Sequence, residues 1–291
     1  MLDLSHIPNS QQDVKIFYAS GTTNWQTWQK PRKCNYVYIM CIGGGGAGAN
    51  GSTTSGLGAI SGGGSGAVTR ALFNASQLPD ILYVQSGLGG LINGNPGNRS
   101  FVSILIGSTV AQNLVCVSGT TAATGGTHNN ISTGETAATT AVANFLSLSN
   151  WISTAGIGSG TYPVAQTGPN TTPLSSQLTS PGAWGSAYSG ATCFNGSSIL
   201  STSISPIILG GTASTAISDA TNGSNGITSW NPFFSLGGAA GGSSGTNSPN
   251  GTGGNGGIGG IGSGGGGGSD GPIAAGVGGR GGDGLVIIIT F

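Results

Sequence analysis

Thr252-Gly-Gly-Asn255-Gly-Gly-Ile258-Gly-Gly-Ile261 carries a side chain at every third position and glycine at the two between, and Val277-Gly-Gly-Arg280-Gly-Gly-Asp283-Gly repeats the pattern. Glycine at two positions of three is what a bundle of left-handed, three-residue helices requires, because a side chain facing a neighbour would keep the backbones apart. Collagen is the nearest competitor, but it needs one Gly per triplet and abundant proline, whereas this chain has 12 prolines in 291 residues. A flexible Gly-rich linker is the other reading. The triplet register argues against it, as does the position of the segment just before a hydrophobic strand. Such helices have no internal hydrogen bonds, so their N–H and C=O groups must pair with adjacent helices or water. At roughly 0.5–1.5 kcal/mol net per bond, the pairing offsets an ordering cost of roughly 1–2 kcal/mol per residue only if most groups are paired. Side-by-side packing of helices is therefore expected over 237–284.

The chain closes on Leu285-Val-Ile-Ile-Ile-Thr-Phe291, which is apolar on both alternating faces and reads as a central strand. Tyr36–Ile42 has the same character, with Val37, Ile39 and Cys41 on one face and Tyr36, Tyr38, Met40 and Ile42 on the other. Further strands are expected at Val14–Ala19, Ala67–Phe73, Ile81–Ser86, Ser100–Ile106 and Leu114–Val117, each between Gly, Pro or Asn signals. Strands at this spacing predict a sandwich or barrel-like pair of sheets. The fold class is thus all-β: a β-sandwich-like core closed by N- and C-terminal strands, with packed glycine-rich helices of polyglycine II type and an irregular elaboration. The organisation reads as an N-terminal arm (1–13), a β core (14–118 with 285–291), a Ser/Thr/Asn-rich elaboration (119–236) and the glycine-rich segment (237–284). Within the elaboration Ala138, Val142, Phe145, Leu146 and Ser149 would share one face of a short helix, with Thr133 as its N-cap, although Thr139 and Thr140 disfavour it.

Composition narrows the function. Sixty of the 291 residues are Gly, and charged residues make up 5%, against about 25% in an ordinary soluble domain. Seven Lys+Arg balance seven Asp+Glu, which leaves no electrostatic footprint for nucleic acid or an anionic membrane. The one basic cluster, Lys30-Pro-Arg32-Lys33, reads as a solvated strand entry. No window holds the roughly 18 consecutive apolar residues of a membrane span. No basic start leads into an apolar run after Met1, so assembly in cytoplasm rather than export is expected.

Cys34, Cys41, Cys116 and Cys193 have neither CxxC spacing nor a nearby histidine, His6 and His128 being remote. No metal site is expected, and free thiols are the default. Neither enzyme nor cofactor is expected. The acidic residues Asp3, Asp13, Asp80, Glu135, Asp219, Asp270 and Asp283 are scattered, and of these only Glu135 and Asp219 fall in the elaboration, too far apart in sequence to suggest a glycosidase pair. Gly43–Gly48 imitates a phosphate-cradling loop, but no Lys-Ser/Thr follows.

The order of these pieces resembles the glycine-rich domain of bacteriophage tail-fibre and related virion proteins. The residues that carry the resemblance are Trp25, Trp28 and Pro31, the strand Tyr36–Ile42 ending abruptly in Gly43–Gly48, the entries Gly62–Phe73 and Tyr83–Gly90, and Gly281-Gly282-Asp283-Gly284 leading into Leu285–Phe291. It covers about 1–118 and 237–291, while 119–236 departs from the compact pattern. The resemblance implies a β-sandwich with packed polyglycine helices and a place on a phage particle, often at a fibre tip, assembled in host cytoplasm and then extracellular. Expected partners are other virion proteins, further copies of the chain (a trimer by analogy) and a bacterial surface glycan or protein. Trp151, Tyr162, Trp184 and Tyr188 are the candidate receptor contacts, because aromatic faces amid Ser, Thr and Asn suit adaptable binding. Packing inside the elaboration is the competing role for each. A purely architectural virion subunit is the alternative function.

Overall fold

The computed structural model describes residues 13–21, 24–54, 60–127, 132–137, 151–159, 170–171, 178–189, 191–202, 205–214, 219–245 and 251–291. The fold is all-β, with antiparallel sheets and no α-helix among the described residues. Five strands make one sheet: β1 (Asp13–Tyr18), β3 (Tyr36–Ile42), β4 (Val68–Asn74), β8 (Trp151–Thr154) and β11 (Leu285–Thr290), in the order β1-β11-β3-β4-β8. A second sheet has the order β2-β5-β6-β7, from Gln26–Gln29, Ile81–Gln85, Phe101–Ser103 and Leu114–Val117. A hairpin of β9 (Thr228–Trp230) and β10 (Phe233–Ser235) stands apart.

The doubly apolar strands lie where their sequence predicts. β11 is central, paired with β1 on one side and β3 on the other. Val286 and Ile288 of β11, with Val37, Ile39 and Cys41 of β3, join one hydrophobic cluster with Trp28, Leu82, Val84, Val102 and Val115 to Val117 of the second sheet. On the opposite face Met40, Ile42, Leu285, Ile287 and Ile289 pack with Leu178, Phe233 and Ile261. Both faces of β3 and β11 are thus covered only because other parts of the chain fold over them; that is why neither face alternates with polar residues.

The glycine-rich stretches form a hydrogen-bonded array. Along 43–51, Gly43, Gly46 and Ala49 donate to the carbonyls of Ala67, Gly64 and Ser61; Gly44 and Ala47 to those of Asn98 and Asn95; and Gly45, Gly48 and Gly51 to those of Gly282, Gly279 and Gly276, all at 2.8–3.1 Å. Every third N–H therefore points at the same neighbour. Segment 262–271 is more enclosed still. Gly264, Gly267 and Asp270 donate to Ser180, Ala183 and Ser186; Gly265 and Gly268 to Gly46 and Ala49; Gly266 and Ser269 to Gly257 and Gly254. Its carbonyls accept from Gly238, Gly241 and Ser244, from Gly63 and Gly66, and from Gly276 and Gly279. Glycine is needed there by close approach: a Cβ on Gly264 would lie 1.9 Å from the Gly63 carbonyl oxygen.

Several sequence expectations change. Stretches of 119–236 join the array, with Ala240 donating to Ser197, Ala239 to Ser224 and Gly242 to Thr221, while Trp151–Thr154 within it supplies β8 to the five-stranded sheet. Ser, Thr, Asn and Ala are admitted there because only positions facing a neighbour's backbone exclude a side chain. Thr133 caps no helix, since residues 132–137 are not helical, with Thr124 donating to the Thr133 carbonyl and Glu135 to that of Ser65; 138–149 lies outside the described residues. Of the basic cluster, Arg32 and Lys33 are exposed as expected, whereas Lys30 is part-buried. Its Nζ reaches the carbonyls of Ala75 (3.0 Å) and Leu78 (2.6 Å), fixing a turn of 3-10 helix at Ala75–Gln77.

Candidate recognition surface

The predicted contact residues do not converge. Trp184 is 0% exposed, the largest fully buried side chain, and its Nε1–H donates to the Ser159 carbonyl. Tyr188, on the same segment, is 2% exposed and its hydroxyl donates to the Thr53 carbonyl at 2.9 Å. Both rings act as anchors between segments of the array and leave no face for a ligand. Trp151 is half-buried at the start of β8, packed against the cluster between the two sheets. Tyr162 lies outside the described residues.

A different aromatic reaches solvent. Trp230 is 49% exposed at the turn of the β9–β10 hairpin, edge-on to Phe233 at 5.5 Å, and Phe233 is itself seated on the sheet. The segment leading into it, 219–228, runs beside 207–214, with Thr221 donating to Thr212 and Ser224 to Leu209. Ile207 and Leu209 on one of these paired segments and Ile227 on the other are exposed, as is Trp230 in the hairpin that follows. The aromatic pair flanking Asn231-Pro232 was the available sequence signal.

The rim is stiffened by a side-chain ladder. Asp219 Oδ1, Asn222 Oδ1, Asn225 Oδ1 and Thr228 Oγ1 accept from the backbone N–H groups of Thr252, Asn255, Ile258 and Ile261 at 3.0, 2.8, 2.9 and 2.9 Å. In return Ala220, Gly223 and Gly226 donate to the carbonyls of Thr252, Asn255 and Ile258. Where the array has no further backbone to supply an acceptor, side-chain oxygens three residues apart take over. Asp219-x-x-Asn222-x-x-Asn225-x-x-Thr228 was therefore legible as a period-three pattern.

Two buried carboxyls complete the electrostatics. Glu135 is 1% exposed; its Oε2 accepts from the Ala67 N–H (2.7 Å) and its Oε1 from the Ser118 hydroxyl (2.6 Å). Burial raises its pKa to about 8, outweighing those hydrogen bonds and the charge of Arg99. Burial likewise raises Asp270 to about 7, against the opposing Ser52 N–H. Among the described residues no three His, Cys, Asp or Glu side chains gather as metal ligands. All four cysteines are free thiols, Cys41 and Cys116 fully buried. Burial, followed by its contact with Cys116, pushes the Cys41 thiol well above its usual range.

Compared with known proteins, the chain matches no family model and no curated protein.

Proposed function

We propose that this chain is a bacteriophage virion protein, a tail-fibre or tail-tip component whose glycine-rich array holds a host-receptor binding surface rigid. In this reading the two sheets form a sandwich, and the array consists of polyglycine II-type helices, left-handed with three residues per turn. The observation that carries it is the hydrogen bonding of segment 263–271, whose N–H groups turn through three neighbours (178–189, 43–52 and 251–261) and whose carbonyls accept from three others (235–245, 60–67 and 273–284). Backbone paired on all sides in this way gives a stiff body with almost no charge, suited to displaying side chains on its rim. Trp230, with Ile207, Leu209 and Ile227, is the surface we assign to contact, in place of the buried Trp184 and Tyr188.

The test is adsorption of purified, fluorophore-labelled chain to a panel of bacterial envelopes. Saturable adsorption to some envelopes, weakened at least about tenfold by Trp230→Ala at unchanged Tm, is expected for an exposed aromatic hot spot. Saturable adsorption that Trp230→Ala leaves intact would move the contact elsewhere, and no saturable adsorption at all would overturn recognition. A second reading, as an architectural subunit, is favoured by one observation. β1 is an edge strand whose outer face carries exposed Val14, Ile16 and Tyr18, a surface suited to a neighbouring virion subunit. Immunogold labelling of the particle separates the two, since a distal position supports recognition and an enclosed one supports architecture.

A further inference from the structure

A pocket of about 330 Å³ opens where the second sheet passes into the glycine-rich array. Its walls come from the chain leaving β5 (Gln85 to Leu88), the approach to β6 (Asn98 to Phe101), and Thr109 and Ala122 from the far side. The volume lies within the range of small-ligand sites, roughly 300–1,000 Å³. Its polar lining is uncharged except for Arg99: amides from Gln85 and Asn98, hydroxyls from Ser86 and Thr109, and no carboxylate.

Arg99 is held but not neutralised. One Nη1–H donates to the Thr120 carbonyl at 3.1 Å, and the guanidinium lies 5.0 Å over the Phe101 ring, which stacks in turn on Trp25. Among the described residues no carboxylate forms an ion pair with it. The acid whose charge it does feel, Glu135, keeps its proton at neutral pH and so supplies no counter-charge. A guanidinium has five donors in a planar fork that matches a carboxylate. Here the fork is oriented in advance by a carbonyl and a ring, which lowers the ordering cost of binding.

We propose that the Arg99 pocket binds the carboxylate of an acidic sugar, of which a hexuronic acid is the simplest. The single positive charge matches a monoanion, whereas a phosphate monoester carries about −1.5 to −2 and calls for a second cation. The Asn98 amide and the Thr109 hydroxyl beside it are groups that pair with sugar hydroxyls. The choice of a sugar rests on the recognition reading above; the carboxylate site at Arg99 does not.

The full-length chain is titrated with sodium glucuronate, glucose and inorganic phosphate, with the amide NMR signals of Gly87, Leu88 and Arg99 as reporters. Glucuronate shifts these signals saturably and glucose does so far more weakly. Arg99→Gln weakens glucuronate binding roughly tenfold or more, the loss expected for a charge-assisted pair. Thr109→Asp, on the exposed rim, weakens it comparably by giving Arg99 an internal counter-ion, and covers the case in which Arg99→Gln disturbs the fold. Equal binding of glucose, tighter binding of phosphate, or glucuronate binding unchanged in both variants would each overturn the proposal. Adsorption to envelopes, run alongside, keeps the two readings separate: glucuronate binding without adsorption defeats only recognition, and adsorption without glucuronate binding defeats only this site.

Discussion

Glu135 is held between the Ala67 N–H and the Ser118 hydroxyl, and its side chain fills space beside Gly43, where an added Cβ would come within 1.7 Å of Oε2. Its pKa rises from 4.5 unfolded to about 8 folded, and that of Asp270 from 3.8 to about 7. Between those limits the folded chain binds more protons than the unfolded one, so stability falls as pH rises. The contribution is complete below about pH 4 and lost once both carboxyls ionise above about pH 8, a difference of at most roughly 9 kcal/mol. Denaturant midpoints measured from pH 4 to 9 should decline, and Glu135→Gln should make the decline shallower from about pH 4.5 and abolish it between pH 7 and 8, where Asp270 no longer contributes. An unchanged slope in the variant would show that Glu135 is not the buried acid responsible. Gly266 offers the steric counterpart. A Cβ there would sit 2.1 Å from the Ala239 carbonyl oxygen, a backbone atom that cannot swing aside. Gly266→Ala should cost about 2 kcal/mol or more. Gly107→Ala, at φ +74° with nothing within 4 Å of the added carbon, should cost about 1–2 kcal/mol from backbone strain alone. Thermal unfolding of the two variants ranks packing against conformation.

At the scale of elements, the ladder from 219–228 to 251–261 shows how an array of bare backbone ends. Its rungs are side-chain acceptors, so their loss leaves an N–H to water at a half-exposed rim rather than orphaned in a core. Asn225→Ala should therefore cost only about 1 kcal/mol, and Asn225→Asp, which keeps the oxygen, much less. Hydrogen exchange of the Ile258 amide, the donor to Asn225, reads this directly: protection should fall in the Ala variant while that of Gly257, bonded to the Ala239 carbonyl, stays. Equal loss at both would mean the segment unravels as a unit. Strands β1, β3 to β7 and β11 were legible from their residues, whereas β8, β9 and β10, within the stretch read as an irregular elaboration, were not. Tyr36–Ile42 and Leu285–Thr290 are apolar on both faces, and the structure covers both. Gln26–Gln29 was not, because Gln-Thr-Trp-Gln has one apolar residue, Trp28, and pairs with β5 through its backbone.

Across the whole molecule, cohesion comes from backbone pairing and three hydrophobic clusters among the described residues, two on the sheets and one within the array, with almost no help from charge. The ion pairs among the described residues are Lys15–Asp13, Lys30–Asp80 and Arg280–Asp283, each with at least one well-exposed partner. Stability should change by less than about 0.5 kcal/mol between 0.05 and 0.5 M NaCl at fixed pH, because exposed pairs contribute little and are readily screened. A steep salt dependence in urea unfolding would point to electrostatic terms that these pairs do not supply. Of the candidate contacts, Trp184 and Tyr188 take the competing role of packing, and only the whole fold decides it: Trp184 sits deep among segments that arrive from 60–67, 155–159 and 235–245.

The sequence by itself determined the local terms: which runs are strands, that two of them are buried on both faces, and that glycine at two positions of three demands neighbouring backbone. Those are properties of side-chain size and alternation along a few residues. Only the tertiary structure decided which segments became those neighbours, that Ser- and Thr-rich stretches joined them, and which aromatics were enclosed. The reason is physical: a backbone N–H accepts any carbonyl, so its partner is chosen by the path of the whole chain and leaves no mark on the residues beside it.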